Sequence, residues 1–380
     1  MALDFVNSNQ KLYICPGETV PISHAVHLGR LARSYPACQD CPLNCDSGVS
    51  ATPVADRLNA QRERKAGELV RSHGSIRGVY LNRINRRVAS DIIGQYAQQL
   101  WDKVHRGVRT FRRERVDDWT APLVVIGYDQ RHSSPDIVTG VQDRFRIMGC
   151  DVIDVGLTIG PGFQFATAHH NAVAGVLVTG CGHSPSWTGL DFVDGTGQPL
   201  DVSNITVPRV ADPPMKHARP VRWSGRHRFE PVVEQFAVTA REQLELSRDV
   251  KIVVGAEDYV TRDYIERVLE PVADGNVVIM ELPKRVRDLT NSEDVDTRRV
   301  GDKVVHTQAD VGVVVDEDVR GCVFVDGEGE MLTSDELDQF LGRSVESEPD
   351  FDAGETIVRV LSEVSRRPQT LAEFAAASAN

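Results

Sequence analysis

Between Leu123 and Val178 short apolar runs alternate with helical periodicity, and this rhythm restricts the fold more than any other feature of the chain. Leu123 to Ile126 is an apolar run that breaks at Gly127 into the polar turn Tyr128-Asp-Gln-Arg-His-Ser-Ser134. Ile137, Val138, Val141, Phe145 and Met148 follow at helical spacing and stop at Gly149. Val152, Ile153 and Val155 form a second strand pattern, and Gly175 to Val178 a third. Strand, crossover helix and strand in this order predict a parallel sheet. Ligands of such sheets gather at the carboxyl ends of the strands. The turn after Gly127 and the loop Thr179-Gly-Cys-Gly-His-Ser-Pro-Ser-Trp-Thr-Gly189 therefore mark the expected site.

A chain of 380 residues has room for two or three cores, since domains hold roughly 100–200 residues each. No apolar run approaches the roughly 20 residues that span a bilayer. The start, MALDFVNSNQKLYICPG, lacks the basic and apolar regions of a secretory signal. A cytoplasmic location with no membrane partner is expected. The net charge of −12 argues against general nucleic-acid binding. From Arg57 to Arg115, however, 15 Lys/Arg stand against 5 Asp/Glu. That segment reads either as solvated helix faces or as a surface for phosphates, RNA or an acidic protein partner. No aromatic interleaving or repeat supports an RNA motif.

Four of the seven cysteines, Cys15, Cys38, Cys41 and Cys45, fall in the first 45 residues, beside His24 and His27. An odd cysteine total in a chain of this kind does not suggest a disulfide framework. Two thiolates in a CxxC turn can reach one ion, and a small segment without its own core gains folding energy from a metal. The expectation is structural zinc on Cys15, His27, Cys38 and Cys41, with His24 or Cys45 as alternative fourth ligands. A four-cysteine iron–sulfur cluster or reduced thiols in a packed extension are the other readings.

Further along, residues 46–70 read as a polar connection, helical from Ala55 to Leu69. Val88, Ile92, Tyr96, Leu100 and Val104 mark an amphipathic helix. The segment 188–200 reads as a hairpin with Asp-Gly turn signals, and the Pro-rich, basic stretch 207–228 as a domain linker. The βα rhythm resumes with VKIVVGA (250–256), a helix from Thr261, and NVVIMEL (276–282). A final strand pattern ends in the acidic turn Asp316-Glu-Asp-Val-Arg320.

Six segments in this order resemble the motifs of the alpha-D-phosphohexomutases, the phosphoglucomutase and phosphomannomutase group. They are Ser75-Ile-Arg-Gly78, VVIGYDQRHSS (124–134), VIDVGLTIGP (152–161), GVLVTGCGHSPSWTG (175–189), ADVGVVVDEDVR (309–320) and TSDEL (333–337). The resemblance implies tandem α/β/α domains with mostly parallel sheets, following the Cys-rich N-terminal extension. It divides the chain into an extension and linker (1–70), domain I (71–206), domain II (207–300) and a partial domain III with tail (301–380), without domain IV.

The resemblance also assigns roles. Arg77 matches an arginine that enters the family's active site. Asp129 and Arg131 match the family's DxR; Arg131 either holds a substrate phosphate by bidentate hydrogen bonds or pairs with a turn-capping Asp129. In the family a loop serine carries the transferred phosphate. Counting from Thr179 that position is Cys181, and counting back from His183 and Pro185 it is Gly182, while Ser184 is the nearest hydroxyl. Cys181, His183, Ser184 and Arg320 are thus the catalytic candidates. Asp316 and Asp318 match two of three magnesium-binding aspartates, with Glu317 between them; the other reading is an acidic strand-to-strand turn.

The expected function is that of a phosphohexomutase-like protein of carbohydrate metabolism, related to isomerases. It has lost intramolecular phosphotransfer and serves as a binder of hexose phosphate or a regulator. An active mutase with a rearranged loop and a zinc-containing interaction scaffold are the alternatives.

Overall fold

The computed structural model describes residues 12–15, 18–32, 35, 38, 41, 69–104, 120–273, 275–343 and 352–378. Of the helix expected from Ala55 to Leu69, residues 55–68 lie outside these residues, as do Cys45 and the basic FRRER stretch (111–115), while Leu69 is the first residue of a strand. The chain forms two compact units, Met1–Gly67 and Glu68–Asn380. In the first, β1 (Leu12–Tyr13) pairs antiparallel with β2 (Ile22–Ser23), which runs into α1 (His24–Ala32).

The second unit is built on two sheets. Its first half contains β3 (Leu69–Ser72), β4 (Ser75–Val79), α2 (Arg86–Val104), β5 (Leu123–Tyr128), α3 (Ser134–Ile147), β6 (Asp151–Leu157), α4 (Gly160–His169), β7 (Ala174–Val178), β8 (Trp187–Asp194) and β9 (His227–Phe229). These strands make one sheet in the order β3-β4-β8-β7-β5-β6-β9. β5, β6 and β7 are parallel, as the strand–helix–strand pattern requires. Their side chains alternate between faces. Val124, Ile126, Val152 and Val176 meet α2 and α3 in one core, whereas Val125, Ile153 and Leu177 meet Phe163 and Ala166 of α4 in another. A strand buried on both sides needs a continuous apolar run, which is why these three stand out in the sequence.

Two local expectations change. The 188–200 segment is mainly a full strand, β8, paired antiparallel with both β7 and β4. Its return arm makes only the bridge Val193 to Pro199, because proline has no N–H to extend a ladder. The stretch 207–228 is not a free linker. Its backbone carbonyls receive donors from α2: Arg87 Nη2 reaches the Arg209 oxygen at 2.6 Å, and Gln98 Nε2 the Ala218 oxygen at 3.2 Å. The strap ends as β9, a parallel edge strand on β6. Prolines deny it a helix, so side chains of the neighbouring helix satisfy its backbone.

The remaining elements are α5 (Val233–Arg241), β10 (Ile252–Ala256), α6 (Tyr259–Val268), β11 (Val277–Glu281), α7 (Val295–Thr307), β12 (Val311–Val315), β13 (Cys322–Val325), α8 (Ser334–Phe340), α9 (Ala353–Arg366) and α10 (Leu371–Ser378). The strands form a second sheet in the order β11-β10-β12-β13, parallel except for the last pair. A domain border at residue 300 therefore does not hold, because α7 is the crossover between two strands of one sheet. The late helix α9 completes this core, with Ile357, Val358 and Leu361 fully buried. Its N-terminus is fixed by Asp352, which accepts from the Glu355 N–H (3.1 Å) and from the Tyr264 hydroxyl (2.9 Å). No described helix is long and apolar enough to cross a membrane.

Gly94 tests the strap. It lies on α2 beneath the His217 ring, which a Cβ at this position would strike, and the His217 side chain is 3% exposed. Gly-to-Ala in a helix normally gains about 1 kcal/mol. Here Gly94→Ala is expected to loosen the strap, read as faster tryptic cleavage after Lys216 and Arg222. Unchanged cleavage contradicts the docked strap.

Candidate functional site

The carboxyl ends of all six core parallel strands open on one cleft within the second unit. β5 delivers Asp129 and Arg131, β6 Thr158 and Ile159, and β7 Thr179, Cys181 and His183. From the second sheet β10 delivers Glu257 and Asp258, β11 Lys284, and β12 Glu317 and Asp318. This is the ligand position expected of wound parallel sheets.

Arg131 organises the near wall. Its guanidinium donates to the backbone oxygens of Ser184 (2.6 Å) and His183 (2.9 Å) and to the Glu317 carboxylate. Gly180 makes room for it: a Cβ there would sit 2.8 Å from Nη1 of Arg131. Asp129 fastens the same loop. One oxygen accepts from the Arg131 N–H (3.0 Å) and the Ser134 hydroxyl, the other from the Gly180 N–H (3.0 Å). Asp129 thus caps the turn, and both Nη groups of Arg131 are hydrogen-bonded within the protein, with Nε 3.4 Å from Asp129. Arg77 is also committed. It is 6% exposed and ion-paired to Asp191 at 2.6 Å, with its body crossing Gly189, so it does not line the cleft.

The loop holds Cys181 inward. Burial pushes its thiol pKa up, and the carboxylates of Asp318, Glu317 and Asp316 push it further. A nucleophilic thiol is favoured by the opposite environment. Next to it Gly182 takes φ +77°, and its N–H donates to Glu317 (3.3 Å). His183 stacks on Trp187 with ring centroids 4.6 Å apart. The Ser184 hydroxyl lies 3.1 Å from that of Ser186, and Ser184 is not among the residues lining the cleft.

The acidic turn connects β12 to the antiparallel β13, which is the strand-to-strand reading. Asp316 accepts from the N–H groups of Asp318 (3.1 Å), Arg320 (3.0 Å) and Gly321 (3.0 Å). Asp318 accepts from the Gly160 N–H (2.7 Å) at the start of α4 and from Arg320 Nε (2.8 Å). Burial raises the Asp318 pKa to about 6, although Arg320 opposes the shift. Arg320, otherwise half exposed, also reaches Gln164 (3.2 Å). The oxygens of Asp316, Glu317 and Asp318 are thus engaged by protein donors. Among the described residues no three metal-capable side chains are arranged to hold an ion. Hard cations need several oxygens converging on one point, and here each of these carboxylates already accepts from protein donors.

Sequence reasoning overlooked the far wall. Glu257, 6% exposed, is paired with Arg287 at 2.6 Å. Arg285 is held by Asp294 at 2.5 Å and by Asp296. Lys284 projects beside them, exposed and without an ion pair among the described residues. The available signal was position alone: PKRVR (283–287) follows the β11 pattern, at a strand's carboxyl end.

The comparisons with known proteins agree with this architecture. The family model "Phosphoglucomutase/phosphomannomutase, alpha/beta/alpha domain I" matches residues 85–206. A phosphoglucomutase/phosphomannomutase of Thermococcus kodakarensis is 37% identical over 79 residues, which are 21% of this chain and 17% of that protein. Phosphohexose mutases of Xanthomonas campestris pv. campestris are 29% identical over 112 residues, 30% of this chain and 24% of theirs. The match thus spans a quarter or less of these curated relatives. The crystal structure of a phosphoglucomutase/phosphomannomutase family protein from Burkholderia thailandensis shares the fold, with TM-score 0.59 at 18% identity. It covers 80% of this chain and 78% of that one. A Thermus thermophilus protein described as a phosphomannomutase gives TM-score 0.60 at 16% identity, over 81% and 83% of the two chains. Residues 85–206 therefore match domain I of the phosphoglucomutase/phosphomannomutase family, and most of the chain shares the fold of the solved structures of that name.

Proposed function

We propose that this chain is a phosphohexomutase-family protein that does not transfer phosphoryl groups and acts by binding, with a hexose phosphate as its ligand class. One observation carries the reading. The Glu317 carboxylate rests on the Arg131 guanidinium and on the N–H of Gly182, in the loop that matches the family's phosphate-bearing segment. Phosphoryl transfer depends on positioned cations and N–H donors that stabilise charge developing on the moving group. Here those donors already serve an internal carboxylate. A hydroxyl or thiolate nucleophile is also required, and the loop presents Cys181, whose thiol pKa is raised, in its place.

The cleft keeps Lys284 as its uncommitted cation, which gives a hexose phosphate one charged anchor. Binding without turnover follows from this inventory. The purified chain with glucose 1-phosphate or mannose 1-phosphate and Mg²⁺ is expected to give no product in a coupled mutase assay. Intact-mass measurement is expected to find no covalent phosphate. Either signal above background refutes the proposal. In calorimetry Lys284→Ala is expected to weaken glucose 1-phosphate binding at least ~10-fold, about 1.4 kcal/mol. Identical affinity removes the cleft as the binding site.

The internal pairing has its own consequence for stability. Glu317→Gln leaves the Arg131 charge without its carboxylate and is expected to cost roughly 1–3 kcal/mol in urea unfolding. An unchanged midpoint contradicts a committed ion pair.

A further inference from the structure

We infer that Cys15, His27, Cys38 and Cys41 bind one zinc ion that folds the N-terminal unit. The first observation is what fills its interior. Among the described residues of this unit the buried ones are Tyr13, Cys15, His27, Leu31, Cys38 and Cys41. Three thiols and an imidazole therefore stand where a larger domain places hydrocarbon. Tyr13 and Leu31 alone bury too little apolar surface to offset the chain entropy of ordering this segment. Structural zinc supplies folding energy outright to small modules of this kind.

Local geometry converges on the same four side chains. Tyr13 and Cys15 are two residues apart along the first strand and its extension, so they face the same way. His27 and Leu31, four apart, share one face of α1. The Tyr13 ring lies flat on His27, with centroids 4.0 Å apart and 2° between planes, and this fixes the imidazole. The Cys38 N–H donates to the Tyr35 oxygen (2.9 Å), and Cys38 packs against Leu31, one turn from His27 on α1. Arg30 donates to the Cys15 sulfur (3.0 Å) and to Glu18 (2.8 Å), placing a cation where thiolate charge accumulates.

Among the described residues no three metal-capable side chains stand at coordinating positions; binding an ion requires the thiols to lose their protons and is coupled to folding. Burial selects the fourth ligand: His27 is 2% exposed, whereas His24 is only half-buried. A mixed thiolate–imidazole set suits borderline-soft, tetrahedral zinc, and four buried ligands leave no open position for catalysis.

The test is metal analysis of the full-length chain, purified without a metal-binding tag. Mass spectrometry of the metals is expected to find about one zinc per chain. Cys38→Ser and His27→Ala each reduce this at least ~10-fold, and His24→Ala leaves it unchanged. Because the first two variants can unfold the unit, the intact protein is also titrated with a mercurial. Zinc release in step with thiol loss, and sulfur-to-cobalt charge-transfer bands after cobalt exchange, are expected. Zinc absent from the purified protein, zinc kept by His27→Ala but lost by His24→Ala, or iron in its place overturns the assignment.

Discussion

The Arg131 guanidinium is the contact on which the functional face depends. From the end of β5 it grips the carbonyls of the neighbouring loop and reaches Glu317, which arrives from the other sheet. Arg131 is 9% and Glu317 21% exposed, so their attraction is weakly screened compared with a surface pair. Once formed, it fixes loop shape and the placement of the acidic turn together. It also sets the electrical character of the cleft, because the cation that would meet an incoming anion is already neutralised.

The same pattern recurs at the helix ends. The N-terminus of a helix is a ready anion site, since its free N–H groups and dipole both favour negative charge. Three helices begin beside this cleft, and each meets a carboxylate of the chain. Asp129 takes the Ser134 hydroxyl at α3, Asp318 the Gly160 N–H at α4, and Asp258 the Thr261 N–H at α6 (2.9 Å). A phosphoryl group bound in this cleft would therefore rely on Lys284 and not on these helix ends. Burial raises the Cys181 thiol pKa, and the same excess of negative charge raises it further. A cleft can therefore keep the shape of its family while its receptors for anions have been satisfied from within.

How much of this was legible in the sequence followed from how local each signal was. The strands at Val124, Val152 and Val176 are buried on both faces and appear as unbroken apolar runs. Their helices appear as 3.6-residue periods. The ligand-bearing ends of β5 and β7 followed from the order of those patterns. The strap at 207–228 was read as a linker because its partner donors lie far away in sequence: Arg87 binds the Arg209 oxygen across 122 residues. The second sheet was split in two because α7 was not recognised as a crossover. The function of Glu317 was hidden for the same reason, since its partner Arg131 is 186 residues distant and no local period reports such a pair.

The central claim is that the anion-receiving groups of this cleft are held by the protein's own carboxylates. A crystal structure grown with Mg²⁺ and glucose 1-phosphate tests it most directly. The account predicts that Glu317 remains on Arg131 and the Gly182 N–H, with no ion coordinated by Asp316 and Asp318. A magnesium ion caged by those aspartates, with Glu317 swung away and a phosphoryl group in its place, contradicts it.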